Sequence, residues 1–441
     1  MENSTTSLSA KAGIGASFGA IVRSLRHRNF RLFFGGQSIS LIGSWMQGVA
    51  LSWLVYRLTH SAFLLGITGF ASQIPAFFLS PLAGVLADRW NRHMLIIMTQ
   101  TLAMVQAFIL SILVLTHTIT IWEIIVLSLF LGVITAFDIP IRQSFRIEMI
   151  DDKNDLGNAI ALNSTMFNGA RLLGPSIAGL LIAAVGEGVC FLLNAISYLA
   201  VIASLFLMKI RPSEAPRTSS HANVWTEIKE GFDYAAGFEP IRVILLTLAL
   251  IGLMGMPYSV LMPAFAKDIL HGNANTFGFL MGSAGLGALC GAVYLASRKT
   301  VVGLGKMIPI AAVIFGAGLI GLCFCRNVPF AMGLMALTGF GQIVQMASSN
   351  TLLQTIVEDD KRGRIMSFYT IAFMGMTPIG SLLAGSMASH VGTPWTLCVG
   401  GIACLMGAAG FAAKLPKLRK DVLPVYIHKN IWKSPDSDNT D

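Results

Sequence analysis

The densest cluster of reactive side chains in this 441-residue sequence reads Gly84-Val85-Leu86-Ala87-Asp88-Arg89-Trp90-Asn91-Arg92-His93. An acid four residues after a glycine, with arginines one and four beyond the acid, places opposite charges in a short loop between apolar runs. Such charges either fix the orientation of the flanking helices or latch one helical bundle to another. Asp138, just before Pro140, stands near the end of an apolar run. An acid near lipid depth is costly and marks a functional candidate. Its readings are proton carriage, partnership with Arg92, or local pairing with Arg142. Arg171 is the only cation in the deep part of any apolar run. A bare guanidinium there costs at least about 2.5–3.5 kcal/mol on insertion scales, so it must meet water, an anion or a hydrogen-bonding neighbour. It is a candidate for substrate binding or coupling, or for hydrogen bonding at a helix contact.

Neutral polar groups add a second set. Gln37, Ser40, Ser44 and Gln47 recur at spacings of three and four, so they share one helical face. That face lines a cavity or hydrogen-bonds a neighbouring helix. Asn163, Asn168, Gln342 and Gln345 are further single amides with the same two readings. Gly174, Pro175 and Gly179 follow Arg171; proline removes a backbone donor and glycine admits close packing, so the helix bends or packs tightly there.

The elements that must carry these residues follow from composition. The chain is 54% apolar and 12% charged, far from the charged share of roughly 25% in soluble domains. Long apolar runs place spans near 32–56, 62–86, 94–115, 119–139, 156–184 and 188–208, then near 241–265, 276–297, 306–325, 328–349, 364–389 and 393–413. The expected fold is an all-α integral membrane protein with twelve transmembrane helices in two pseudo-symmetric six-helix bundles. Its divisions are 1–208, a 209–240 central loop with an interfacial helix from Val224 to Phe238, 241–413, and a loosely ordered tail over 414–441. Twelve crossings put 27 of the 31 lysines and arginines on the side of the N-terminus, and only Arg57, Lys267 and Arg326 on the other. Cations concentrate on the cytoplasmic side of short loops, so both termini are expected in the cytoplasm. The net charge of +9 then reports orientation, and nucleic-acid binding is not expected. The first 30 residues hold no apolar core before a cleavage site, so the first span is expected to be an uncleaved anchor.

Membrane enzymes need nucleophiles, bases or metal ligands converging at one depth. None of the eight histidines lies mid-span, and the six cysteines lack acidic or histidine neighbours at ligand spacing. No enzyme activity, cofactor or metal is expected. The absence of a nucleotide-binding domain disfavours ATP-driven transport.

Two halves of the chain repeat. Asp151-Asp152-Lys153 recurs as Asp359-Asp360-Lys361, while Gly174, Gly179 and Gly186 recur as Gly380, Gly385 and Gly392. Repeated bundles commonly hold a substrate cavity between them. The 84–93 segment resembles the signature loop G-x-x-x-D-R-x-G-R-R of the major facilitator superfamily, with Asn91 in place of a glycine and His93 in place of the last arginine. The segment Gly169-Ala170-Arg171-Leu172-Leu173-Gly174-Pro175-Ser176-Ile177-Ala178-Gly179 partly resembles that superfamily's antiporter motif. The opening Arg28-Asn29-Phe30-Arg31-Leu32-Phe33, with Gly36-Gln37, is similar to the branch holding the enterobactin exporter and macrolide efflux proteins. The resemblance implies a gate of Gly84, Asp88, Arg89 and Arg92, with Asp88 against the helix beginning near Arg364 and Arg92 against Asp138. It also implies a monomeric secondary exporter in the bacterial inner membrane, exchanging protons for a small amphipathic molecule such as a siderophore or drug. Uncoupled transport and a lipid-handling or sensor role remain alternatives.

Overall fold

The computed structural model describes residues 23–150, 152–209, 224–298, 300–358 and 361–429, with side chains outside 80–89, 146–148, 153, 224–228 and 428. Twelve helices among these residues are long and apolar enough to cross a membrane. They are α1 (Arg28–Thr59), α2 (Ala62–Arg89), α3 (Arg92–Leu115), α4 (Ile121–Glu148), α5 (Leu156–Val185) and α6 (Glu187–Leu207). The second set is α7 (Glu239–Ile269), α8 (Ala274–Ala296), α9 (Leu304–Phe324), α10 (Val328–Ile356), α11 (Arg362–Val391) and α12, which begins at Thr393. A linker helix, Val224–Gly237, precedes α7.

Packing follows the repeat. In the first six helices α1 packs on α5 and α6, α2 on α4, and α3 on α4 and α6. In the second six, α7 packs on α11 and α12, α8 on α10, and α9 on α10 and α12. Each contact has its counterpart six helices on. The repeated glycines explain the correspondence. Gly174 of α5 meets Ile42, Trp45 and Met46 of α1, and Gly380 of α11 meets Leu253 and Pro257 of α7. Gly186 and Gly392 close α5 and α11 with φ of 85° and 84°, in the left-handed half of backbone space that favours glycine.

Two expectations are revised. α4 continues through Pro140 to Glu148, because Ile141 and Phe145 are fully buried beyond the proline and hold the last turns to the bundle. α12 continues to His428, so residues 414–428 are helix and not a loose tail. Their apolar positions Leu415, Leu418, Val422 and Tyr426 recur every three or four residues and pack onto the second bundle. The Lys417 ammonium meets Glu239 at 2.5 Å, and Lys429 Nζ donates to the carbonyls of Thr355 and Val357 at 2.9 and 3.0 Å, capping the end of α10. The linker helix Val224–Gly237 is docked on the start of α11. Arg364 pairs with Glu230 at 2.7 Å, and the Lys361 ammonium lies 4.4 Å from the Tyr234 ring centroid. Of the repeated Asp-Asp-Lys loops, Asp151, Asp359 and Asp360 lie outside the described residues.

The start of the chain is tied to α5. Ser24 Oγ donates to the Asp155 carbonyl at 2.8 Å, and the Asp155 carboxylate accepts from His27 Nε2 at 2.9 Å and pairs with Arg23. The His27 hydrogen bond, joined by Arg23, holds the Asp155 carboxyl below its ordinary value of 3.8, against a smaller opposing effect of burial. A depressed carboxyl stabilises the fold above its unfolded value and loses that contribution as pH falls through the folded one. Protection of the 23–28 amides in hydrogen exchange is therefore expected to decline below about pH 4 in the native chain, and to be low at every pH in Asp155→Asn.

Candidate functional site

The two bundles meet along α5 with α8 and α2 with α11, and glycine sets both contacts. A Cβ on Gly179 would stand 2.9 Å from the Ala274 carbonyl oxygen, and one on Gly278 would stand 2.7 Å from the Gly179 Cα and the Pro175 oxygen. On the other seam, a Cβ on Gly66 would stand 2.6 Å from the Ser381 oxygen, and one on Gly385 would stand 2.8 Å from the Gly66 Cα. Gly179 and Gly385 are repeat partners, so the seams are pseudo-equivalent. Both lie toward the end of the molecule opposite the cation-rich loops. There Tyr56, at the end of α1, hydrogen-bonds through its hydroxyl to Asp268, at the end of α7, and Lys267 Nζ lies 3.0 Å from His60 Nε2. These contacts join the halves where Arg57, Lys267 and Arg326 were assigned by charge. Within the first bundle at the same end, Arg57 forms a two-pronged bond to Glu187 at 2.7 and 3.2 Å.

A cavity of about 410 Å³ lies between the halves, walled by α1, α2, α4, α7 and α8. Its polar contribution comes from Ser44, Gln47, Ser52, Thr68, Ser72, Gln73 and Ser259, and its apolar contribution includes Trp45, Phe277 and Met281. The volume falls within the range of small-molecule sites, which combine apolar walls with a few placed polar groups. Among the described residues, no charged one lines it.

Arg171 stands behind that wall. Its Nη2 donates to Gln342 Oε1 at 2.6 Å, crossing from α5 to α10, and its guanidinium lies 5.9 Å from the centroid of the Trp45 ring. Gln342 in turn donates to the Met256 sulfur of α7 at 2.7 Å. Two residues singled out separately in the sequence thus form one polar bridge between the halves, roofed by an aromatic of the cavity wall.

The other amides divide. Gln47 accepts from Asn194 at 2.7 Å and donates to Gln106 at 3.0 Å, so it joins α1, α3 and α6 while also reaching the cavity wall. Gln37 and Ser40 are buried in the same stripe, and Gln37 Oε1 and Ser40 Oγ have no hydrogen-bond partner among the described residues. Gln345 donates to Ser349 at 3.3 Å within α10, and Asn168 donates to the Ser164 carbonyl at 2.9 Å within α5. Asn163, Asn168, Gln37, Gln342 and Gln345 are not among the cavity-lining residues. The polar face of α1 is mainly a helix contact, and only its Ser44–Gln47 turn reaches the cavity.

Asp138 is buried at 7% exposure. It accepts from Thr99 at 2.9 Å and Gln100 at 2.7 Å, and pairs with Arg142 at 2.8 Å one helical turn on. Its described ion pair is therefore the local one with Arg142. Removing one partner of a buried pair costs about 3–5 kcal/mol; Arg142 is partly exposed at 21%, which places Asp138→Ala at the low end. Thermal melting of the purified variant should fall by several degrees, and an unchanged melting point would mean the cluster contributes nothing.

The side chains of Gly84, Asp88 and Arg89 lie outside the described residues, at the end of α2. The two departures from the signature loop have local explanations. Asn91 caps α3, accepting from the Met94 amide at 3.2 Å. His93 Nε2 lies 2.9 Å from the Leu205 oxygen, and its ring stacks on Phe145 at 5.7 Å, tying α3 to α6 and α4.

Sequence reasoning missed the Tyr56–Asp268 contact, since its residues are 212 positions apart and neither stands in a motif. Thr68 and Gln73 of α2 were missed as cavity residues, although their spacing in an apolar helix was a usable signal.

Two repeated six-helix bundles around a central cavity, with charge confined to the ends and one bridged arginine, define a secondary transporter of the major facilitator type. The chain belongs to the transmembrane secretion effector family of that superfamily, whose model matches residues 20–438. It is 27% identical over 376 residues to the staphyloferrin A transporter of Staphylococcus aureus, covering 85% of this chain and 93% of that one. It is 25% identical over 385 residues to the multidrug efflux pump Tap of Mycolicibacterium fortuitum, covering 84% and 92%. Among solved structures, a bacterial homologue of the iron transporter ferroportin in an inward-facing state superposes with a TM-score of 0.66 at 18% identity, covering 89% of this chain and 99% of that one. The protein is thus a multi-pass membrane transporter of small molecules and not an enzyme.

Proposed function

We propose that the protein is a proton-coupled exporter of a small amphipathic molecule of the siderophore or drug class, acting as a monomer in the bacterial inner membrane with both termini cytoplasmic. The observation that carries this reading is the cavity between the halves, with neutral polar and apolar walls and the Arg171–Gln342 bridge behind Trp45. A ligand with an aromatic or apolar body and a few hydrogen-bonding groups suits those walls. An anionic or catechol-like group suits the nearby guanidinium. The substrates named for the staphyloferrin A transporter and the multidrug pump fall in this range.

Transport proceeds by rocking residues 1–208 against 241–413, with 209–240 as the connection. The contacts at the Tyr56–Asp268 end seal that side, which supports a state that admits substrate from the opposite, cytoplasmic side. Export then requires the glycine seams and that contact to part, while Gly84, Asp88, Arg89 and Arg92 close the cytoplasmic end. Gly174, Pro175 and Gly179 allow α5 to move against α1 and α8. An uncoupled facilitator is the second reading, favoured by a cavity wall that holds no carboxylate among the described residues. Accumulation of siderophores, macrolides and lipophilic cations in cells making the protein is the test. Intact protein should lower accumulation of one class, and Asp88→Asn, inserted at equal abundance, should restore it by roughly tenfold or more. Equal export by the variant would remove the gate from the account.

A further inference from the structure

A second cavity, about 490 Å³, opens on the cation-rich face of the second bundle, far from the first. Its walls come from the start of α7, the start of α9, α10 and the 414–428 extension of α12. The interior is apolar, with Ile244, Leu352, Phe411 and Leu418 at its base, while the rim carries Lys306, Arg419 and Lys420. All three cations are exposed, and no described ion pair engages any of them. The α9 helix starts on this rim with Gly303 as its N-cap and no side-chain cap, so its dipole adds to the positive field there. Gly305 leaves the groove wide, since a Cβ there would meet only Leu415 and Leu352 at 3.7 and 3.9 Å.

An apolar trough with a cationic lip selects a ligand that has both an alkyl chain and an anion. Polar substrates lack the first, and lipophilic cations are repelled by the second. We propose that the groove is a site for an anionic phospholipid of the adjacent leaflet, its phosphate held by Lys306, Arg419 and Lys420 and its upper acyl chain lying along Phe411 and Leu418. The proposal rests on the orientation given above, in which this face meets the cytoplasmic leaflet, where basic pockets between helices collect acidic headgroups. The extension of α12 then has a role beyond ending the chain: it supplies two of the three cations and one wall. Because it also binds Glu239 at the start of α7 through Lys414 and Lys417, an occupied groove would brace α7 against α12.

Native mass spectrometry of the purified full chain with phosphatidylglycerol or phosphatidylcholine separates the possibilities, and it reads lipid binding without any need for transport. Failure of the export reading would therefore leave this result untouched. The intact protein should retain phosphatidylglycerol in preference to phosphatidylcholine. Lys306→Gln, Arg419→Gln and Lys420→Gln together should weaken that binding on the order of 10- to 100-fold. Gly305→Leu, which fills the trough and keeps every cation, should weaken it as well. The matched removal of Arg26, Arg28 and Arg31 from the first bundle should change it less than twofold, roughly. Equal retention of both lipids, or wild-type retention by both groove variants, would overturn the proposal. Displacement of phosphatidylglycerol by millimolar inorganic phosphate would overturn it too, by making the site one for a free anion.

Discussion

Gly278→Leu should abolish most transport while leaving the protein inserted and folded. Its α8 backbone touches α5 so closely that a Cβ would stand 2.7 Å from the Gly179 Cα and the Pro175 carbonyl oxygen. Overpacking of this kind costs about 1–3 kcal/mol. In the rocking account the cost falls on one state alone, because the two helices part when the Tyr56–Asp268 end opens. A penalty of that size shifts the balance of states by roughly 5- to 150-fold. Spin labels at His60 and Lys267, which contact each other across the halves, would report it. The distance distribution should move from a short to a long population in the variant. An unchanged short distance with normal transport would show that the seam yields without consequence.

Arg171→Ala should lower transport by about 10- to 100-fold with normal insertion. The guanidinium bridges α5 to α10 through Gln342 and packs over Trp45, and its loss leaves a buried amide oxygen without its donor, a cost of about 1–3 kcal/mol. Arg171→Lys keeps the charge but not the planar fork that reaches Gln342 and lies on the indole, so it should recover only part of the activity. A packing residue would behave otherwise: both variants would change melting temperature and leave the rate per inserted molecule intact. Comparing transport at saturating and limiting substrate separates a defect in binding from one in the conformational step.

Much of this architecture was legible in the sequence because lipid imposes a simple code. A spanning helix needs about 20 apolar residues, and charged or turn residues separate the apolar runs, so the count of spans could be read directly. The repeat was legible for a different reason. Gly174 and Gly380 each pack on the first helix of their own half, Gly179 and Gly385 each meet the other half across a seam, and Gly186 and Gly392 each end a helix at positive φ, so the same demand recurs at each pair. The end of α12 was misread. Lys414, Lys417, Arg419 and Lys420 made residues 414–428 look like a solvated tail, although Leu415, Leu418, Val422 and Tyr426 keep a helical stripe that the second bundle buries.

The site was legible only in part. Arg171 announced itself by its charge at depth and Gln342 by its amide, but their union at 2.6 Å belongs to a contact between helices five apart in order. The stripe Gln37, Ser40, Ser44 and Gln47 fixed which residues share a face but not what that face meets; Gln47 meets Gln106 and Asn194. Asp138 carried the opposite ambiguity, and the nearer arginine, Arg142, holds it. Tyr56 and Asp268 had no local pattern at all, since their pairing joins positions 212 apart on the two halves.

The central claim is coupled export through the cavity between the halves, and proton release from acidified inverted membrane vesicles tests it most directly. Siderophores, macrolides and lipophilic cations would be added in turn, with empty-vector and Asp88→Asn vesicles alongside. The account predicts saturable, protein-dependent release with one class of compound, lost in the variant. Accumulation of a labelled substrate at the same rate with and without the proton gradient, and with no release, would contradict it.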